Sequence, residues 1–369
     1  MSRFSITMLA LFCCTIISCK REKTDGIIAV PDINLTKNIS IGSSNAMDVN
    51  NLIHTQLSGS SDEEFFQNAS IIDVVGDTII LLENAPTSSR LIMFNLQDGK
   101  YLGQVNHRGQ GPGEYRRIIG AFVNDSNATV LIPNFDTPSV YEYSLANDSL
   151  LSIFEREQVM TMMPPVGGVE SCINIALPSP GGLSILQYNS QYQRIDSISL
   201  PGVECGNFNT VWDNAGNNAV FMNADTLFTL APGELHKLAV LSRGDKALTP
   251  QKDEEITMAI MSGEDEIELL KPYILVRNVQ YTLGKILITT MTNGEKHSDL
   301  YNLSDGKMLY HSSYDELSIP SMIIVKDKTG KSQKVERLFA KNGRWYGFLN
   351  EDDSTTSDDR NDTIISFEI

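Results

Sequence analysis

The residues of this 369-residue chain that could do chemistry are few and scattered. Its histidines, His54, His107, His236, His297 and His311, show none of the spacings that set metal ligands together on one helix or hairpin. No Gly-x-Ser-x-Gly elbow, phosphate-binding loop or dinucleotide glycine fingerprint occurs. Acids cluster at Glu264-Asp265-Glu266 and between Glu351 and Asp362. Neither run alternates carboxylates around a glycine as a calcium loop does, so both read as solvated acids. The residues therefore call for no metal and no cofactor, and they nominate no catalytic group. One segment stands apart, running from Arg108 through Gly109, Gly111, Gly113, Glu114 and Tyr115 to Arg116 and Arg117. Its glycines let backbone N–H groups approach a ligand closely. Its arginines concentrate positive charge and suit a carboxylate, free or on an acidic glycan. The same residues also fit a tight crossing between two sheet units, with Glu114 neutralised by Arg108, Arg116 or Arg117 and Tyr115 packed across the junction. Both readings fit the residues.

A different chemistry belongs to Cys19. Arg3, a largely apolar stretch from Phe4 to Ile17 and a small-residue end form the three parts of a secretory leader. The stretch is shorter than the roughly 20 residues that span a bilayer as a helix. It ends in Ile16-Ile17-Ser18-Cys19, which resembles the lipobox of bacterial lipoprotein signal peptidase. The Cys19 thiol would take a diacylglyceryl group before cleavage, and the freed amine a further acyl chain; stable anchoring requires two or more chains. Residues 1–18 thus read as leader, 19–60 as anchor, tether and closing strand, and 61–369 as the folded domain. Cys172 and Cys205 remain. An oxidising compartment permits a disulfide between them, and two buried thiols satisfy the same residues.

The formal charge of −17 becomes one unit more negative when Arg3 leaves with the leader. A surface that acidic argues against a nucleic-acid partner or an anionic lipid surface, since both need basic patches. Hydrophobic content of 41% is enough for a packed core.

What must position these residues is a series of short strands. Helical periodicity is confined to Asn45–Leu57 and Asp253–Met261. Elsewhere β-branched and aromatic runs are broken by Gly, Asn, Asp and Pro. Residues 71–105 form four strands joined by tight turns, including Gly76-Asp77 and Gln97-Asp98-Gly99-Lys100. The same pattern returns over 121–154, 172–200, 208–241, 273–310 and from 321 to the end. Six four-strand units predict an all-β, six-bladed β-propeller. The last unit ends on its third strand, so an N-terminal strand, placed within Thr36–Ile41, should close the ring and remove an exposed edge.

Gly109-Gln110-Gly111-Pro112-Gly113-Glu114-Tyr115, directly after the first unit, resembles the signature of the six-bladed β-propeller lipoproteins abundant in Bacteroidales. The Asp98-Gly99-Lys100 turn, Asp225-Thr226-Leu227-Phe228 and Asp362-Thr363-Ile364-Ile365 are weaker echoes. The likeness runs over nearly the whole mature chain and is strongest over 71–151. It departs at Asn134 and Ala146-Asn147-Asp148, where that family has acidic and Gly-containing turns. The resemblance implies the disc and the envelope address. That family is mostly of unknown function, so it implies no substrate.

The sequence therefore predicts a lipid-anchored envelope protein, held in the outer membrane with a lean to its periplasmic face. It binds a protein or glycan without catalysis. The rival is a hydrolase or lyase acting on sugars or lactones at the central channel. Inward carboxylates converging on a cation would favour the enzyme; a channel without such free groups would favour the binding module.

Overall fold

The computed structural model describes residues 30–40, 44, 46–59, 64, 66–85, 88–125, 127–134, 136–155, 166–167, 172–179, 181–203, 208, 211–215, 218–350 and 362–369. Cys19, Cys205 and the acidic run over 351–361 lie outside them.

Six antiparallel sheets follow one another along the chain. Blade 1 contains Ser70–Val75, Thr78–Ala85, Ser88–Asn95 and Tyr101–Val105. Blade 2 runs from Phe122–Asn124 to Leu150–Glu155, blade 3 from Val166–Gly167 to Arg194–Pro201, and blade 4 from Trp212–Ala215 to Glu234–Ser242. Blade 5 contains Leu275–Thr282, Lys285–Thr292, Glu295–Asn302 and Met308–Tyr314. Blade 6 contains Ser332–Lys341, Arg344–Asn350 and Thr363–Glu368, preceded by the short strand Met322–Lys326. Inner strands of neighbouring blades meet around the axis, as between blades 4 and 5 and between blades 6 and 1. The protein is a six-bladed β-propeller.

The strands form because both faces of each blade are buried. Ile79, Leu81, Ile92 and Phe94 of blade 1 pack on Phe339, Phe348 and Ile364 of blade 6, while Ile80, Leu91 and Met93 face Val130, Ile132 and Tyr143 of blade 2. A strand buried on both sides reads as a continuous apolar run, as Ile79-Ile80-Leu81-Leu82 does. The remaining junctions repeat this arrangement.

Ring closure is where the structure corrects the local reading. The closing strand is Asn50–Gln56, antiparallel to Thr363–Glu368, with Gln56 opposite Thr363 and Asn50 opposite Glu368. Residues 36–40 do not form it, since Leu35–Ser40 is a 3-10 helix, and residue 41 lies outside the described residues. Asn34 starts that turn by accepting the Thr36 N–H through Oδ1 at 3.1 Å, the local competition that keeps Asn out of regular ladders. The helix expected over Asn45–Leu57 is likewise replaced by Met47–Asp48 and Asn50–Gln56. Two adjacent asparagines are weak helix formers, and the open edge of Thr363–Glu368 offers a full ladder of backbone partners.

The chain before this strand forms a belt around half the rim. Asp32–Asn34 adds a parallel strand to the outer edge of blade 4. Ser44 exchanges bonds with the backbone of His311 on the outer strand of blade 5. Met47–Asp48 pairs with Met322–Lys326. The connection from blade 4 to blade 5 carries the helices, α1 (Pro250–Met261) and α2 (Glu266–Leu270). Thr249 caps α1 by accepting the Lys252 N–H, with Pro250 at its first position. The expected helix over Asp253–Met261 falls within α1. No described helix is long and apolar enough to cross a membrane.

Candidate functional site

The glycine-rich segment crosses from the outer strand of blade 1 to the inner strand of blade 2, and its own groups occupy most of its polar atoms. Tyr115 is fully buried; its hydroxyl donates to Val105 O at 3.1 Å and accepts the His107 N–H at 3.2 Å. The Gly109 N–H bonds Tyr115 O, and the Tyr115 N–H bonds His107 O. Glu114 turns back over the glycines and accepts the Gly111 N–H through Oε2 at 2.7 Å. A Cβ on Gly109 would lie 1.9 Å from that carboxylate oxygen, and one on Gly113, at φ +78, would lie 2.5 Å from Leu150. Tyr143 donates its hydroxyl to Gly113 O, and the His107 ring stacks on Tyr143 at 4.6 Å. Burial pushes the Tyr115 and Tyr143 hydroxyls far above their usual range, so both stay neutral donors.

These contacts correct the expected pairing of Glu114. Its partner is a glycine N–H rather than an arginine. Arg116 reaches Asp136 at 3.0 Å, Arg117 donates to Asn84 Oδ1 at 3.0 Å, and Arg108 forms a backbone bridge with Tyr115. The glycines thus serve close packing of the crossing, and Arg108, Arg116 and Arg117 are all exposed on it.

A second cluster lies on the axis, at the opposite end of the disc, where first and second strands turn. Lys341 ends the inner strand of blade 6. Its Nζ lies 2.6 Å from Asp73 Oδ1 of blade 1 and 2.9 Å from Asp125 Oδ2 of blade 2. Lys341 and Asp73 are 4% and 6% exposed, whereas half of the Asp125 side chain reaches solvent. Desolvation pushes the Asp73 carboxyl up to about 6, against the pull of Lys341. The two carboxylates hold Lys341 above its usual range despite burial. Among the described residues the cation beside these inward carboxylates is the Lys341 side chain. The sequence carries a trace of this cluster, because Asp73 and Lys341 are charges inside apolar runs just before the turns Gly76-Asp77 and Asn342-Gly343.

A third group is the buried pair His311 and Asp299 at the blade 4–5 junction. His311 Nδ1 lies 2.5 Å from Asp299 Oδ1, and the His297 ring stacks on His311 with centroids 5.6 Å apart. Burial holds His297 below its usual pKa. Among the described residues no hydroxyl reaches His311 Nε2 as the nucleophile of a charge-relay triad would. No group of three or more metal-ligating side chains occurs among the described residues. Cys172 is buried with Sγ 3.8 Å from Asn174 Oδ1. Glu264, Asp265 and Glu266 are exposed at the start of α2, where Asp265 accepts the N–H groups of Ile267 and Glu268.

The whole disc has solved counterparts. A Bacteroides fragilis protein whose name describes it as exported superposes with a TM-score of 0.60 at 16% identity, over 89% of this chain and 98% of that one. A Bacteroides vulgatus member of the DUF4221 family superposes with a TM-score of 0.53 at 10% identity, over 86% of this chain and 96% of the other. At such identities the likeness is one of fold. No curated protein matches the chain. Residues 60–366, essentially the complete ring beyond its closing strand, match the domain of unknown function DUF4934, and the chain belongs to that family.

Proposed function

We propose that this protein is an envelope lipoprotein that binds a protein or glycan partner without catalysing a reaction. One observation carries the non-catalytic reading: the axial carboxylates Asp73 and Asp125 are already neutralised by Lys341. A sugar- or lactone-active site would need such acids free to hold a metal or to move protons. The same placement weighs against the rival hydrolase, as does the buried His311–Asp299 pair, whose outer nitrogen no hydroxyl reaches among the described residues.

The partner is held on the face where the 108–117 crossing runs, because Arg116 and Arg117 stand exposed there on an otherwise acidic protein. Arg116→Ala with Arg117→Ala should weaken binding of acidic glycans on an array by about tenfold or more, as loss of charge-assisted bonds does. Unchanged binding in the folded double variant would remove this surface. Turnover of a sugar or lactone would overturn the non-catalytic reading.

The address rests on the leader, the lipobox and the fold shared with a protein named as exported. The anchor holds the disc to the outer membrane, on its periplasmic face. Cys19→Ala should move the protein from the membrane to the soluble fraction, because no acyl chain would remain. A variant that still sediments with membranes would refute the anchor.

A further inference from the structure

Lys296 stands near the start of the third strand of blade 5, opposite Met291 and Tyr314, and is 9% exposed. Its ammonium donates to Ile319 O at 2.8 Å and forms no ion pair among the described residues. Met291, opposite Lys296, packs in one cluster with Phe208, whose ring lies under Arg277, and burial together with this second cation holds Lys296 below its usual range. Arg277 occupies a bulge of the inner strand, between Val276 and Asn278. Its guanidinium lies over the Phe208 ring at 5.7 Å. The nearest carboxylate, on Glu266 of α2, stands at 3.9 Å. Buried Asp253 of α1 accepts the Phe208 N–H at 3.1 Å, which ties the helical connection to the site.

A buried ammonium with one neutral partner and a like charge beside it is a costly arrangement for a folded chain. Such a cost persists where it serves binding. The guanidinium supplies a planar fork and the ammonium a point charge, a pairing that suits an oxyanion. We propose that Arg277 and Lys296 form a seat for an anionic group, the carboxylate or phosphate of a small ligand, between the helical connection and blade 5. The seat is separate from the 108–117 crossing and does not depend on the lipid anchor.

The test is a thermal-melt titration of the full chain in detergent with glucuronate, inorganic phosphate and, as a neutral control, glucose. A saturable rise in Tm with either anion and none with glucose is expected; which anion acts identifies the ligand chemistry. Lys296→Met should abolish the rise, and without any anion it should melt no lower than the parent, because an uncompensated charge has been removed. Arg277→Gln should shift the titration midpoint at least tenfold upward. Two results overturn the proposal. One is no saturable rise with either anion. The other is a Lys296→Met protein that melts several degrees below the parent, which would make the bond to Ile319 the reason for the lysine.

Discussion

Deleting residues 20–57 should abolish cooperative folding rather than trim the protein. The deletion removes the whole antiparallel ladder between Asn50–Gln56 and Thr363–Glu368. It also removes Ile33, Leu35 and Leu57, which are 1%, 2% and 2% exposed. Three such side chains contribute about 5–9 kcal/mol by burial. That alone approaches the total stability of an ordinary domain, about 5–15 kcal/mol. The lost ladder then leaves Thr363–Glu368 as an apolar open edge, an invitation to aggregation. The expected result is loss of the thermal transition in far-ultraviolet circular dichroism and rapid proteolysis.

A shorter deletion separates closure from the belt. Removing residues 20–45 keeps Asn50–Gln56 but takes Asp32–Asn34 off blade 4 and Ser44 off blade 5. Burial of Ile33 and Leu35 alone is lost, about 3–6 kcal/mol, so a cooperative transition should survive at a lower temperature. If the long deletion melts where the parent does, the N-terminal strand is a tether and not the closure of the ring.

The same segment shows what a sequence reveals and what it hides. The blades are legible because their signals are local: a period of apolar runs, and turns such as Gly76-Asp77 that recur at each hairpin. The closing strand is not local. Its state is set by Thr363–Glu368, some three hundred residues away, so the pattern around Leu52 and Ile53 reads as helix until the partner edge is known. The crossing at 108–117 is legible as a special segment, and its two readings separate only in three dimensions. The glycines are explained by Glu114, Leu150 and Tyr143 lying against them, contacts across a blade junction that spacing alone does not disclose. Asp73 and Lys341 are visible as misplaced charges, yet nothing in a one-dimensional pattern says that they meet.

Lys341→Met should cost about 3–5 kcal/mol, the usual penalty for removing one partner of a buried ion pair. The reason is Asp73, which is 6% exposed and would have to be ionised without a cation beside it or be neutralised by taking up a proton. Half-exposed Asp125 should contribute little, since solvent screens it. The pH dependence identifies the cause. In the parent, the folded-state pKa of Asp73 is about 6, above the 3.8 of an ordinary aspartate. The folded protein therefore holds this proton more tightly than the unfolded chain does. The carboxyl thus stabilises the fold fully at pH values below 3.8, and that contribution is lost as the pH rises toward 6. Without Lys341 the folded carboxyl rises further, because the cation that lowered it is gone. The variant's deficit should then be largest at neutral pH and shrink as Asp73 takes up a proton on acidification. Adding Asp73→Asn to Lys341→Met removes the orphaned charge and should recover most of the loss at neutral pH, and the double variant should lose the pH dependence that Asp73 gives the parent. Urea melts of the parent, the single variant and the double variant at several pH values measure all of this. A pH-independent deficit that the second substitution leaves unchanged would mean that Lys341 stabilises the ring by packing its methylene stem, not by neutralising the axial carboxylates.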